Sequence, residues 1–152
     1  MKCTVFSHKD AANVVPRALQ DELLHIIRNV RVKVERRAAS SIRDALMAGL
    51  LHKGWPTDVG VTCGSKITIT SVKTGVGLCL QTGNMSRMYA DLLKLQKLYL
   101  DKSIAAGVMI VPSHMAAKEL GDNITNASRL EAELGIFAKV LTIPILLFAF
   151  DE

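Results

Sequence analysis

Basic side chains crowded into one short stretch are the sequence feature with the clearest chemical potential. Six Lys and Arg residues fall between positions 28 and 43, where Glu35 is the single acid. Closely spaced cations attract phosphate groups, so the stretch could contact nucleic acid, although charge alone equally favours a solvated helix face. The six residues are Arg28, Arg31, Lys33, Arg36, Arg37 and Arg43.

The net charge of +5 is confined to the first third of the 152 residues. Residues 1–55 hold 10 Lys and Arg against 5 Asp and Glu, whereas residues 56–152 hold 9 of each. The hydrophobic content of 49% excludes a disordered chain. The length predicts one domain spanning 1–152, with a basic helical part (1–55) and a core of sheet and helices (56–152).

Familiar catalytic and metal-binding motifs are absent from the chain. It contains no glycine-rich phosphate loop, no GxSxG elbow and no HExxH pair. The three cysteines lack CxxC spacing and the four histidines are scattered, so no zinc site or disulfide framework is predicted. No carboxylate occurs between Asp58 and Asp91. We expect no bound cofactor from these patterns.

Membrane insertion is not predicted. The first ten residues lack the apolar region of a signal peptide. The longest apolar run, residues 143–150, is far shorter than the roughly 20 residues that span a bilayer. We therefore expect a cytoplasmic protein with reduced thiols and no membrane partner.

The carboxylate-free middle of the chain is predicted to form a hairpin followed by a crossover. Residues 66–72 alternate like a half-buried strand, residues 73–75 make a tight connection, and residues 76–81 form a second strand. Ser86 can cap a long helix that runs to about Lys102. The apolar strand at 104–111 then completes a βαβ unit, which implies a parallel pair.

The flanking segments extend this pattern into a mixed sheet covered by helices. The alternation of valines with charged residues at 30–37 is strand-like but ambiguous. Pro144 is expected to push the start of the closing strand toward a sheet edge. The other predicted elements are a strand at 2–8, a helix opened by Pro16, and helices at 38–50 and 128–139.

Several short motifs in this region occur together in one nuclease superfamily. Gln81 on the second hairpin strand is followed by Thr82-Gly83-Asn84 and then by Tyr89-Ala90-Asp91-Leu92-Leu93. This combination resembles the PD-(D/E)XK nucleases, and more narrowly the type II restriction endonucleases of the BglII/BstYI group. The resemblance runs from about residue 45 to 150. It implies an α/β restriction-endonuclease-like core, a mixed central β-sheet flanked by helices, and a homodimer on double-stranded DNA.

The chain departs from the family pattern at the metal-binding acids. In the family, an acid on the first hairpin strand and a Glu on the second hold a divalent metal, and here those positions are Thr70 and Cys79. Gln81 is kept. A hydroxyl is a poor Mg²⁺ ligand and a thiol prefers softer metals. The resemblance therefore implies a degenerate catalytic site, Thr70, Cys79 and Gln81, in a DNA-binding pseudoenzyme whose cleavage is weak or lost.

Two other functions remain open at this point. The chain is an active Mg²⁺-dependent endodeoxyribonuclease if Asp58, Asp91 or Glu35 supplies the missing anions. Asp58 lies far before Thr70, Asp91 lies outside the metal site in the family pattern, and the assignment of Glu35 is speculative. Alternatively, the chain is a protein-interaction or regulatory module that reuses the nuclease dimer surface.

The same resemblance suggests which side chains contact nucleic acid. N-terminal helices contact DNA in such enzymes, which would assign phosphate contacts to the basic stretch. The 152 residues leave little room for additional loops that read base edges. The predicted nucleic-acid-binding residues are Arg28, Arg31, Lys33, Arg36, Arg37, Lys73, Asn84 and Arg87.

Overall fold

The protein is described by a computed structural model that covers all residues, 1–152. In chain order the elements are β1 (Lys2–His8), α1 (Ala11–Val14), α2 (Arg17–Asn29), α3 (Ala39–His52), β2 (Val59–Gly60), β3 (Thr68–Ile69), β4 (Ser71–Lys73), β5 (Val76–Leu80), α4 (Met85–Leu100), β6 (Ala106–Pro112), α5 (His114–Leu120), α6 (Ala127–Ile136) and β7 (Ile145–Asp151).

Five of the strands form one mixed sheet in the order β1-β7-β6-β5-β4. The pairs β1–β7 and β4–β5 are antiparallel, whereas β5–β6 and β6–β7 are parallel. Strands β2 and β3 pair separately. The α/β fold class, the hairpin and the parallel crossover through α4 are therefore confirmed. Because β1 belongs to this same sheet, residue 55 does not separate a helical part from the sheet.

Each face of the sheet is covered by its own apolar layer. Alternate side chains of the central strands point to opposite faces, so Leu78 and Phe148 join the layer under α2 and α3. Cys79 and Leu147 join the layer under α4 and α6. A strand that is buried on both faces exposes no side chains to solvent. This explains the nearly continuous apolar sequences of β5, β6 and β7.

Helix α4 packs unusually close to the sheet at Gly77. A Cβ atom added to Gly77 would lie 2.8 Å from Ile104 Cδ1 and 2.9 Å from Leu95 Cδ2. Only glycine leaves room for this approach. The close packing holds α4 directly against β5.

The predicted strand at 66–72 is interrupted at Thr70. Residues before Thr70 pair with β2, and residues after it pair with β5. The Thr70 hydroxyl accepts a hydrogen bond from the backbone N–H of Leu80 at 2.9 Å, which supplies a partner where the strand splits. The alternation in the sequence therefore spans two short strands of different sheets.

Residues 30–37 contain no strand. Val30 and Val34 are buried in the layer under α2 and α3, while Arg31, Lys33 and Glu35 are exposed. The period of two arises because an extended connection packs one side against the core, without pairing to another strand.

Two local expectations are also corrected. Strand β7 lies between β1 and β6, so Pro144 does not mark a sheet edge. Pro144 precedes the strand, and its carbonyl accepts from the Gly107 N–H at 2.8 Å, so its missing N–H interrupts no pairing. The cap of α4 is Asn84, whose side chain accepts from the Ser86 N–H at 2.8 Å; Ser86 lies inside the helix.

No helix is both long enough and apolar enough to pass through a membrane.

Candidate functional site

A polar cleft of about 490 Å³ opens where β5 ends and α4 begins. It is named here the β5 cleft. Two of the residues predicted from the sequence for the degenerate motif, Thr70 and Gln81, line it. Arg43 enters from α3, and Asp58 enters from the segment before β2. Segments far apart in the chain therefore contribute to the lining of the cleft.

Thr70 is fixed by backbone contacts on both sides. Its hydroxyl accepts from the Leu80 N–H, as described above, and its carbonyl accepts from the Asp58 N–H at 3.1 Å. The second contact places Asp58 beside Thr70, although twelve positions separate them in the sequence. Asp58 has a positive φ of 53° and an exposed side chain without a hydrogen-bond partner.

Gln81 is held at both ends of its amide. Its Nε2 donates to Asp91 Oδ2 at 2.8 Å, and its Oε1 accepts from the Gly83 N–H at 3.1 Å. Asp91 is only 8% exposed, and its other oxygen accepts from Lys94 Nζ at 3.0 Å. The motif glutamine is therefore part of a short network that joins β5 to α4.

Cys79 lies beneath the cleft and not in its wall. The residue is 1% exposed and packs in the apolar layer under α4 and α6. Burial raises the pKa of the Cys79 thiol, and the negative charge of nearby Asp91 raises it further. The thiol is consequently uncharged at neutral pH.

Three cations meet in the cleft. Arg43 Nη1 donates to the Leu80 carbonyl at 2.6 Å, which anchors the guanidinium against the end of β5. Arg87, in the first turn of α4, is exposed and pairs with no acid. Lys94 is the third cation, and its charge is offset by Asp91.

Most of the basic residues predicted to contact nucleic acid lie outside this cleft. Arg28, Arg31, Lys33, Arg36 and Arg37 are exposed at the end of α2 and in the connection to α3. Their only close acids are exposed too: Lys33 lies 3.5 Å from Glu35, and Arg36 lies 3.7 Å from Asp122. Glu35, the speculative ligand, is not among the residues that line the cleft.

Lys73 and Asn84 are engaged in local contacts. Lys73 Nζ donates to Glu22 Oε1 at 2.8 Å and to the Lys53 carbonyl at 2.7 Å, and it lies 5.4 Å from the Trp55 ring centroid. Asn84 caps α4. Of the eight residues predicted to contact nucleic acid, Arg87 alone lines the β5 cleft.

Sequence reasoning did not place Arg43 at the site, and it considered Asp58 and Asp91 only as alternative sources of a metal-binding anion. Arg43 gave a signal only as a member of the basic stretch, and the distance of Asp58 from Thr70 in the sequence argued against it. Asp91 and Lys94 are spaced three apart on a helix, which predicts their ion pair but not their contact with Gln81. All three depend on tertiary packing.

The cleft offers few free ligands for a metal ion. No three His, Cys, Asp or Glu side chains are grouped so that they could hold one. Both oxygens of Asp91 already accept from Gln81 and Lys94, which leaves Asp58 as the free carboxylate. One free, exposed carboxylate is a poor donor set for a hard divalent cation such as Mg²⁺, which prefers several carboxylate and other oxygen ligands.

Comparisons with known proteins converge on one family. A family model described as "Restriction endonuclease BglII/BglIII" matches residues 3–150. One similar solved structure is titled "Crystal structure of restriction endonuclease BGLII complexed with DNA 16-mer"; it has 14% identity, a TM-score of 0.87, and coverage of 100% of this chain and 79% of that chain. Another, "Crystal structure of free BglII", has 15% identity, a TM-score of 0.78, and coverage of 100% and 80%. No curated protein sequence matches.

Proposed function

The chain belongs to the BglII/BglIII restriction endonuclease family, and on that premise we propose that it is a DNA-binding protein with a degenerate metal site. Cleavage by it is weak or lost. The observation that carries the proposal is the chemistry at two motif positions, Thr70 and Cys79, where the family resemblance calls for acids.

Neither side chain can replace a carboxylate as a ligand for Mg²⁺. The Thr70 hydroxyl is neutral and already accepts from the Leu80 N–H. The Cys79 thiol is buried and held in its neutral form by a raised pKa. Two missing anions remove most of the attraction that a hard divalent cation needs. Without the metal, neither water activation nor charge stabilisation at a scissile phosphate is available.

DNA binding has separate support. The solved relative is a complex with a DNA 16-mer. In this chain, Arg43 and Arg87 line the cleft, and the cations of residues 28–37 are exposed, so that they can reach phosphates. Duplex DNA sites with twofold symmetry favour a homodimer. We therefore propose double-stranded DNA as the partner and a cytoplasmic homodimer as the acting form.

A plasmid assay tests the loss of cleavage. Supercoiled plasmid is incubated with the protein in Mg²⁺ or Mn²⁺, and the expected result is no nicking above a buffer control. The double variant Thr70→Asp/Cys79→Glu restores both anions and is expected to gain nicking if it folds, which circular dichroism checks. Clean nicking by the unaltered protein that EDTA abolishes would contradict the proposal.

Binding itself is tested by titrating a DNA duplex with salt. Affinity is expected at about 50 mM salt and falls as salt displaces the phosphate contacts. Absence of binding at that salt would refute the DNA-binding proposal and leave a protein-interaction module as the explanation of the fold.

A second function, Mg²⁺-dependent cleavage, is favoured by one observation: Asp58 and Asp91 line the same cleft as Gln81. If Asp58 is a metal ligand, Asp58→Asn abolishes any metal-dependent nicking. Asp44→Asn is the matched control, because Asp44 is an exposed, unpaired acid on α3 that does not line the cleft. Equal activity of the two variants would eliminate Asp58 as a ligand.

A further inference from the structure

We propose that a groove between α2 and α3 binds an acidic amphipathic helix of a protein partner. This groove, named here the α2–α3 groove, has a volume of about 620 Å³. It has an apolar floor and a positively charged rim, and the two features together define the chemistry of the occupant. Binding there does not depend on DNA or on a metal at the β5 cleft, so this surface lies beyond the proposed function.

The floor of the groove is apolar and includes the point where two helices touch. Ile26 and Gly49 both line it, and a Cβ atom added to Gly49 would lie 2.7 Å from Ile26 Cγ2. Glycine therefore lets α2 and α3 approach closely at this point. Val30 is buried beside this contact, and Val32 and Ala45 are half-buried in the same lining. Apolar surface within a polar border is typical of an interaction site.

The rim carries positive charge and no acid. Arg31 and Lys53 line the groove with exposed side chains, and none of the lining residues is Asp or Glu. Neither cation forms an ion pair within the protein. The charge of Lys53 acts on Glu22, but that carboxylate accepts hydrogen bonds from Trp55 and Lys73. The rim therefore complements carboxylates that come from another molecule.

The combination of floor and rim favours a peptide over nucleic acid as the occupant. A phosphate backbone would meet Arg31 and Lys53 but would bring no apolar side chain to the floor. An amphipathic helix presents apolar residues along one face, can carry carboxylates along its flanks, and commonly binds in an apolar groove. Such a helix satisfies both parts of the α2–α3 groove at once.

The α2–α3 groove and the β5 cleft lie on different sides of α3. Arg43 lines the cleft, whereas Gly49 and His52 line the groove. His52 follows Arg43 by nine positions, so at about 3.6 residues per turn the two side chains project from opposite sides of the helix. Among the residues predicted to contact nucleic acid, Arg31 alone lines the groove. A partner helix can therefore occupy the groove while the cleft stays open.

The test is a fluorescence-anisotropy titration with a labelled synthetic peptide of about 14 residues, or four helical turns. The peptide carries leucines on one helical face and Asp and Glu elsewhere. Saturable binding is expected, with NMR amide shifts at Asn29, Val32 and Gly49. One control peptide has serine for every leucine and another has lysine for every acid. Each control is expected to bind at least about tenfold more weakly, because it lacks one of the two complementary features.

A pair of charge variants tests the rim. Arg31→Gln/Lys53→Gln is expected to weaken peptide binding about fivefold, as for loss of two exposed charge pairs. Lys118→Gln/Lys139→Gln removes the same net charge from exposed positions outside the groove and is the matched control. Little change is expected in the control, because the general attraction between a basic protein and an acidic peptide is the same in both.

A single variant tests the floor. Val32→Ser removes a half-buried apolar side chain from a segment outside any helix or strand, and a thermal melt checks that the fold is kept. Peptide affinity is expected to fall about fivefold through lost apolar burial, while DNA affinity at equal salt is unchanged. Val140→Ser, at an exposed position outside the groove, is the control and is expected to alter neither affinity.

Four outcomes would overturn the inference: no saturable peptide binding, equal binding of the serine peptide, equal losses in the two lysine-containing variant pairs, or amide shifts confined to other surfaces. Shifts of the Val32 and Gly49 signals by a DNA duplex, as large as those caused by the peptide, would assign the groove to nucleic acid instead. Absence of DNA binding in the salt titration leaves the peptide result unaffected, so the two proposals fail separately.

Discussion

At the scale of single residues, Thr70 shows how a residue in the cleft wall can serve the fold. Its hydroxyl lies where one strand ends and the next begins. It accepts a hydrogen bond from the Leu80 N–H in place of a backbone carbonyl of a neighbouring strand. A carboxylate at this position could accept the same hydrogen bond. In the proposed degenerate site, a threonine in place of an acid would therefore keep the backbone contact while removing the charge.

Removal of that acceptor is predicted to destabilise the protein. Thr70→Val preserves the shape of the side chain but leaves the buried Leu80 N–H unpaired. The free energy of unfolding is expected to fall by about 1–3 kcal/mol. Urea denaturation measures the change. Thr70→Ser keeps the hydroxyl and is the control; a loss as large as that of valine would show that the hydroxyl is not the cause.

The cysteines are predicted to differ in reactivity. Burial and Asp91 raise the pKa of Cys79, whereas Cys63 is exposed. Because the thiolate is the reactive form, a thiol reagent at neutral pH is expected to modify Cys63 in the native protein and Cys79 only after unfolding. Mass spectrometry of digested samples reads the sites. Equal labelling of both under native conditions would contradict the burial of Cys79.

Three of the residues singled out from the sequence lie together in the β5 cleft, while their functional roles stay predictions. Thr70, Gln81 and Arg87 line it, as neighbours along one hairpin and one helix start. Arg43 and Asp58 could not be placed in this way, because their positions depend on how α3 and the segment before β2 pack against the hairpin. No local pattern encodes that packing.

At the scale of elements, one half-buried cluster ties α2 to the hairpin. Glu22 Oε1 accepts from Trp55 Nε1 at 2.6 Å and from Lys73 Nζ at 2.8 Å. These contacts join α2, the segment after α3 and strand β4. Lys73 therefore helps to join these segments, a structural role that the sequence did not indicate.

This cluster predicts a pH-dependent contribution to stability. Burial tends to raise the pKa of Glu22, but the hydrogen bonds from Lys73 and Trp55 outweigh it and hold the pKa below the ordinary value of 4.5. The stabilisation is therefore fully present above that value and is lost as pH falls through the lower, folded-state pKa. Thermal melts of Glu22→Gln are expected to change less on acidification than those of the unaltered protein. Parallel pH curves would contradict this.

Helices and the central hairpin were predictable because their periodicities are carried by the sequence itself. The strand-like alternation left residues 30–37 ambiguous, since a period of two arises equally when an extended segment packs one side on a core. Pro144 led to the wrong prediction of a sheet edge for another reason. Proline is disfavoured inside a central strand, but it can stand just before one.

At the scale of the whole molecule, the positive charge of residues 28–37 lies on the protein surface outside the β5 cleft. The exposed cations of residues 28–37 form no ion pair with a buried acid. Their contribution is expected to appear in association with anions and not in folding, because exposed ion pairs stabilise little.

Charge reversal in the basic stretch separates these effects. Arg36→Glu/Arg37→Glu is expected to weaken DNA binding and flatten its salt dependence, with little change in melting temperature. Lys118→Glu/Lys139→Glu alters two exposed lysines from the balanced part of the chain and is the matched control. Equal losses in both pairs would show that net charge, and not this stretch, governs binding.

The pairing of β1 with β7 has a consequence for how the protein is made. Lys2 faces Asp151 in the register, so β1 leaves the ribosome well before its partner strand β7 is synthesised. At roughly 5–20 residues per second, the wait is on the order of ten seconds. During this interval both edges of the nascent β1 are open to foreign strands, and once β6 is made its edge also lacks β7. Slowed translation of the later residues would lengthen this window and favour aggregation over closure of the sheet.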